Sequence, residues 1–336
     1  MMNLHQRNLN RTPLETVVPL PAPFTLHIEP SSYCNFQCNF CPTGDRELIK
    51  SVGIIPQIME MELFNKIIND IAELPQKIKC IIFQGNGEPT FNRHLPEMIR
   101  RVKKEYGCEH VELTTNGSLL NPNLINQLID AGLDKIKISI DGLSETDYNN
   151  NCRFNIKFEE FIDNLRYLYQ NKKQCVVYIK TIDFIAKGRE ELFYNMFREI
   201  SDDCFIEFSL NWTANNLKQF SSNSNKVSID GLPITAGRIC PFSLWLCYIA
   251  ANGDVCACVD DWSKATCYGN VQEESYSEIW NGKRLYEFRM MHLNNEENKN
   301  NACRNCDYRN IAIENIDDVA HILKEKLEQG FSKGNR

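Results

Sequence analysis

The chain has 336 residues, with 37 Lys and Arg against 44 Asp and Glu, giving a formal net charge of −7 at pH 7. That acidic balance argues against a basic nucleic-acid-binding surface, and no apolar run reaches the roughly 18 residues needed for a membrane-spanning helix. Residues 1–23 show no apolar segment followed by a small-residue cleavage site, so no secretory signal is read there. Fifteen cysteines, an odd number without an export signal, point to reduced thiols in the cytoplasm and to metal or cluster ligation rather than a disulfide framework.

In chain order, β-rich runs at 24–29, 78–84, 110–114, 135–140, 175–181 and 205–210 alternate with amphipathic stretches at 60–74, 94–106, 121–131, 157–169 and 190–200. Six strands and five linking helices predict an α/β fold of parallel βαβ units. Right-handed crossovers would curl the series into a closed or partial (β/α)6 TIM-like barrel with reactive residues at the strand C-terminal ends. An open doubly wound sheet stays possible, because periodicity does not report closure. The candidate residues follow the strand-end rule: Cys34 to Cys41 follow the first strand, Gly85 to Pro89 the second, Thr115 to Gly117 the third, and Asp141-Gly142 the fourth.

Residues 215–237 are polar and rich in Ser and Asn, which marks a linker between a core at 24–214 and a smaller unit at 238–310. Residues 1–23 are then an N-terminal extension, and 311–336 a C-terminal helix and tail. In the smaller unit, 245–249 and 255–259 flank an Asn252-Gly253 turn, a hairpin signal. A helix is expected at 276–291 and a last amphipathic helix at about 316–327.

Cys34, Cys38 and Cys41 form a CxxxCxxC set in the loop after the first strand. Three thiolates so spaced can hold three irons of a [4Fe-4S] cube and leave the fourth open to an exogenous chelating ligand. Structural zinc prefers a closed four-ligand set, which this loop lacks. With Phe40 before the last cysteine, the run reads CxxxCx-aromatic-C and resembles the signature of the radical S-adenosylmethionine (SAM) superfamily. Gly87-Glu88-Pro89, Asn116-Gly117 and Ser139-Ile140-Asp141-Gly142 fall where that superfamily carries its further elements, with Asn86 in place of the first glycine of its Gly-Gly-Glu-Pro run. The resemblance implies that Glu88 accepts from the SAM amino group, that the backbone at Phe40 meets adenine, and that Ser139 or Asp141 helps hold the ribose or methionine end.

Cys240, Gly253, Cys258 and the CxxC pair Cys303 and Cys306 resemble that superfamily's auxiliary-cluster extension, SPASM, or its shortened twitch form. No further cysteine follows the CxxC, so the resemblance implies one auxiliary [4Fe-4S] cluster with four Cys ligands; zinc is the alternative occupant of such a tetrad. Cys247, Cys256 and Cys267 remain unassigned, as buried small hydrophobes, a hydrogen-atom donor or part of another ligand set.

The last hundred residues, including Gly269-Asn270 and Glu278-Ile279-Trp280, are similar to the twitch-type alcohol oxidases represented by 2-deoxy-scyllo-inosamine dehydrogenase. This implies hydrogen abstraction from a sugar, cyclitol or nucleotide-sugar, with the auxiliary cluster accepting an electron and a flavodoxin or ferredoxin as reductant. The alternative is a peptide maturase that oxidises, cross-links or epimerises a precursor. Candidate substrate-facing groups are Thr25, His27 and Glu29 on the first strand, and Asn211 and Trp212 after the last barrel strand. No general base is identified.

Overall fold

The structure is a computed structural model that describes residues 12–209, 237–304, 306, 308–312 and 314–334. Asn211, Trp212 and all of the expected linker except Gly237 lie outside the described residues.

Among the described residues, one sheet of nine strands runs in the order β6-β5-β4-β3-β2-β1-β7-β8-β9. The first six are β1 (Thr25–Ile28), β2 (Cys80–Phe83), β3 (His110–Thr115), β4 (Lys135–Ile140), β5 (Val176–Ile182) and β6 (Asp203–Glu207). Each is parallel to its sequence neighbour. Their spatial order follows chain order without the reversal that defines a doubly wound sheet, and β1 does not pair with β6. The alternative left open by periodicity is thereby resolved in favour of a partial barrel.

Alternation within the strands explains both faces. Leu26, Ile28, Ile81, Phe83, Val111, Leu113, Ile136, Ile138, Val177 and Ile179 are buried in one cluster with Phe64, Ile67, Ile68 and Ile71, the apolar stripe of the helix Met61–Ala72. The other face lines the lumen and is polar. There Gln84 bridges His27 and Thr114, Lys137 pairs with Glu112 at 2.6 Å, and Lys180 pairs with Glu207 at 2.6 Å. Capping fixes the helices between strands. Asn121 accepts from Leu124 N–H at the start of Pro122–Ala131, and Gly132, at φ +100°, ends that helix. Ser144 caps Glu145–Cys152 by accepting from Asp147 N–H.

The C-terminal part continues the same sheet. β7 (Leu246–Ile249) pairs in parallel with β1, His27 opposite Tyr248, and then turns at Gly253, φ +85°, into antiparallel β8 (Asp254–Cys256) and β9 (Cys267–Asn270). Two expectations are corrected here. The helix expected at 276–291 is two helices, Tyr276–Trp280 and Lys283–Leu293, because Gly282 leaves the helical conformation at ψ 161° and serves as the N-cap of the second. The final helix runs Ala320–Gly334, later than its periodicity suggests, since Ile316 packs from the preceding turn. The segment from residue 12 is docked as well: Leu14 and Val18 are buried with Leu323 and Leu327 of that final helix, and Trp280 Nε1 donates to Leu20 O at 2.9 Å. Among the described residues, no helix is long and apolar enough to cross a membrane.

Candidate active site at the barrel mouth

The loop carrying Cys34, Cys38 and Cys41 leaves the end of β1 and is clamped by backbone contacts from two sides. Gln37 and Asn39 N–H donate to the carbonyls of Cys152 and Asn151, at the end of the helix Glu145–Cys152, each at 2.8 Å. From the β2 end, Glu88 N–H donates to Tyr33 O at 2.8 Å. Gly87 permits that approach, because a Cβ there would lie 2.5–2.6 Å from the backbone of Ser31, Ser32 and Tyr33. A Cβ on Gly44 would lie 2.4 Å from Cys38 O, so this glycine closes the loop over the second cysteine.

The loop thiols are supplied with hydrogen-bond donors. Phe36 N–H donates to Cys34 Sγ at 3.4 Å, Asn116 Nδ2 approaches Cys34 Sγ at 3.9 Å, and the Thr43 hydroxyl contacts Cys41 Sγ at 3.0 Å. All three thiols are nonetheless raised, Cys34 to about 12 and Cys41 by burial, Cys38 first by the neighbouring Cys152 and then by burial, with nearby carboxylates adding to the effect. Thiols held this way become good ligands only when a metal centre compensates the buried negative charge. An all-sulfur donor set with N–H donors aimed at the sulfurs fits an iron–sulfur cluster.

Glu88 is buried and saturated on one side. Its Oε1 accepts from Thr90 N–H at 3.0 Å, Thr90 Oγ1 at 2.6 Å and Thr115 Oγ1 at 2.6 Å, while Oε2 accepts from Asn116 N–H at 2.7 Å. The carboxylate thus braces the ends of β2 and β3 and leaves spare acceptor capacity chiefly at Oε2. Glu29 does the same between other strands. Its Oε1 accepts from Asn86 N–H at 2.7 Å and its Oε2 from Ala251 N–H at 3.0 Å, tying the ends of β1, β2 and β7. Of the three first-strand candidates, Glu29 therefore has its charge engaged by the scaffold, and His27 lies buried against Gln84.

Asp141, after β4, sits 3.9 Å from Cys38 Sγ and is pushed up to about 6 by burial, which the charge of Lys180 partly offsets. Ser139 stands opposite Lys180 across β4 and β5. Phe40 packs edge-on against Phe184, ring centres 5.2 Å apart. Sequence reasoning missed Cys152, which shares a 4.8 Å cluster with Cys38 and Asp141; nothing in its spacing to the loop marks it.

In the C-terminal part, Cys240, Cys258, Cys303 and Cys306 come together as an electrostatically interacting set. Burial raises the first three, Cys240 to about 12, and Tyr308 N–H donates to Cys306 Sγ at 3.3 Å. This set also fits a sulfur-ligated centre. Asp260, 3.9 Å from Cys258 Sγ, is pushed up to about 7 by burial, again offset by Lys180. Lys180 therefore acts on a carboxylate beside each cysteine group, and its position at the mouth was not singled out in the sequence.

Comparison with known proteins agrees with this arrangement. Residues 28–187 match the Radical SAM superfamily, and residues 240–307 match SPASM, an iron-sulfur cluster-binding domain. The chain is 34% identical over 119 residues to a probable GTP 3′,8-cyclase of Metallosphaera sedula, covering 35% of this chain and 34% of that protein. It is 33% identical over 118 residues to a tungsten-containing aldehyde ferredoxin oxidoreductase cofactor-modifying protein of Pyrococcus furiosus, covering 35% and 31%. These matches span about a third of the relatives' length.

Three solved structures share the fold over most of the chain. BtrN in complex with AdoMet and 2-DOIA gives a TM-score of 0.55 at 20% identity, covering 87% of this chain and 96% of that one. Native anSMEcpe with bound AdoMet gives 0.58 at 17%, covering 92% and 97%. Streptococcus suis SuiB bound to precursor peptide SuiA gives 0.54 at 13%, covering 82% and 68%. The chain carries a Radical SAM domain over residues 28–187 and a C-terminal SPASM iron–sulfur cluster-binding domain, which together imply [4Fe-4S] clusters and SAM as cofactors.

Proposed function

We propose that this radical SAM enzyme abstracts hydrogen from a hydroxyl-bearing carbon of a sugar, cyclitol or nucleotide-sugar and oxidises it, with one auxiliary cluster as electron outlet. Cys34, Cys38 and Cys41 would hold the first cluster, and Cys240, Cys258, Cys303 and Cys306 the second. When bound, the first cluster and SAM supply a 5′-deoxyadenosyl radical, the cofactors' own chemistry. Phe40, Gly87, Glu88, Ser139 and Asp141 line the SAM side, with Oε2 of Glu88 as the acceptor for its amino group. The core at 24–214 supplies the reaction chamber and residues 238–310 the auxiliary centre.

One observation carries the substrate reading: the lumen wall between the two cysteine groups is polar. Lys180, Glu207 and Ser139 stand there with Asp141 at one side and Asp260 at the other. Such a wall offers several charged and neutral hydrogen-bonding partners to a hydroxyl-rich ligand, whereas an apolar one would displace water from it without replacing the lost hydrogen bonds. Four protein ligands on the second centre leave no iron free for substrate, which suits electron relay. A precursor peptide is the second reading, favoured by the likeness of fold to SuiB and anSMEcpe.

Anaerobic incubation with sugars and peptides deuterated at candidate carbons decides between them. Deuterium appearing in 5′-deoxyadenosine from a sugar or cyclitol supports the proposal. Transfer from peptides alone overturns it.

A further inference from the structure

We propose that Cys256 and Cys267 form a dithiol–disulfide couple, closing a cross-strand disulfide reversibly by exchange with low-molecular-weight disulfides. The inference is independent of the substrate reading and uses no cluster-ligand cysteine.

The pairing of β8 with β9 sets Cys256 opposite Cys267, with an irregularity between Val255 and Cys256. Ala257 N–H donates to Thr266 O at 3.3 Å, one residue beyond the pair on each strand. That bond marks the two cysteines as a non-hydrogen-bonded antiparallel pair, the type in which facing Cα atoms approach to about 4.5 Å. Disulfides close over Cα separations of about 4.4–6.8 Å, so the backbone needs no rearrangement. The two thiols lie near enough to perturb one another's titration, and Cys267 Sγ also lies 3.5 Å from Gly269 O.

Burial divides the roles. Cys267 is exposed, whereas Cys256 is fully buried. An exposed sulfur can attack an incoming disulfide, and the buried one beside it can only resolve the mixed disulfide. Interaction with the neighbouring Cys256 lowers the Cys267 thiol below its usual range, and the charge of Lys264 adds to that effect. The other close pair, Cys38 and Cys152, lacks this division, because Cys152 is fully buried and Cys38 is half-buried in the cluster loop.

The exchange balances in two steps. The Cys267 thiolate attacks a small disulfide RSSR, forming a Cys267–SR bond and releasing RS⁻. Cys256, giving up its proton, then attacks the Cys267 sulfur, forming Cys256–Cys267 and releasing the second RS⁻. Overall, two protein thiols are oxidised and one RSSR is reduced to two RSH; a dithiol reductant reverses the reaction. The product locks β8 to β9 two residues before Cys258, so the oxidised form would stiffen the approach to the auxiliary centre.

The test uses anaerobic holoenzyme treated with glutathione disulfide, followed by alkylation and peptide mass spectrometry without reduction. We expect an intramolecular Cys256–Cys267 linkage, no disulfide-linked dimer, and iron content unchanged within error. In Cys256→Ser, Cys267 should accumulate as a stable glutathione mixed disulfide. In Cys267→Ser, Cys256 should stay a free thiol, and since residue 267 is exposed, this variant carries the test should the buried substitution impair folding. Wild-type protein that stops at the mixed disulfide, links Cys267 elsewhere, or leaves Cys267 unmodified overturns the proposal.

Discussion

Replacing Glu88 with Gln tests whether this side chain braces the strand ends. The carboxylate accepts four hydrogen bonds, three on Oε1 and one on Oε2, from Thr90, Thr115 and Asn116. The amide of a glutamine has only one acceptor oxygen. With that oxygen at Oε1, its NH2 confronts the Asn116 N–H, which sits 2.7 Å from Oε2. Flipped, the amide satisfies Asn116 but confronts the fixed Thr90 N–H. Either way one charge-assisted bond is lost and a buried N–H is left without an acceptor, at about 1.5–3 kcal/mol. Relief of the buried negative charge offsets part of this, leaving a net destabilisation of about 2 kcal/mol. For a chain of this size that is a fall in Tm of about 3 °C.

Anaerobic urea unfolding of wild type and Glu88→Gln side by side measures it, with SAM binding of the reconstituted proteins measured in parallel. Unchanged stability with weakened SAM binding would refute the brace and leave Glu88 as a ligand only. Loss of stability with SAM affinity intact would remove it from the SAM site.

Cys38→Ala should retain the fold but lose the first cluster and all SAM cleavage to 5′-deoxyadenosine, read by chromatography after dithionite reduction. Anaerobic reconstitution should give about eight irons per chain, and Cys258→Ala about four, by iron quantitation; about four in the wild type would favour a single cluster or zinc in the second site. Gly87→Ala should cost about 1–3 kcal/mol in urea unfolding and lower iron content, because the added methyl meets backbone that cannot rotate away.

His27 gives a pH dependence. Thr114 Oγ1 donates to Gln84 Oε1 at 2.8 Å, which turns the Gln84 NH2 towards His27 Nδ1, also at 2.8 Å, so that nitrogen is the acceptor of a neutral ring. Burial holds His27 down to about 3, below the 6.5 of an unfolded chain. Between those values the unfolded state binds the extra proton. The contribution of His27 is therefore complete above about pH 6.5 and declines as pH falls towards 3, by roughly 1.4 kcal/mol per unit. Between pH 7 and 5 wild type should lose about 2 kcal/mol more than His27→Gln, and parallel stability curves for the two proteins would contradict it.

How much of this could be read from the sequence follows from which interactions are local. Strands such as Lys135–Ile140 were legible to the residue because one face is apolar and the other polar. The cysteine loop was legible because three ligands lie within eight residues of one another. β9 was not, since Cys-Tyr-Gly-Asn has no alternation and exists as a strand only through pairing with β8. The parallel pairing of β7 with β1 joins residues more than 200 positions apart, and no local pattern encodes it. Glu88 was read as an acceptor for SAM and Glu29 as a substrate-facing group, and their bracing of the strand ends was hidden for the same reason: the N–H groups that engage them come from other strand ends. Cys152 was invisible beside Cys38 because the contact is made by the far end of a separate helix.

The bond between β1 and β7 has a kinetic consequence. The strand that leads into Cys34 and the one that turns towards Cys258 are adjacent rods of one hydrogen-bonded lattice, with Glu29 cross-bracing their ends. Such a lattice would damp breathing between barrel and extension at the spot that matters most to the electron relay proposed between the two centres. Tunnelling falls off steeply with separation, so in that proposal a shared lattice would hold the rate of transfer steady.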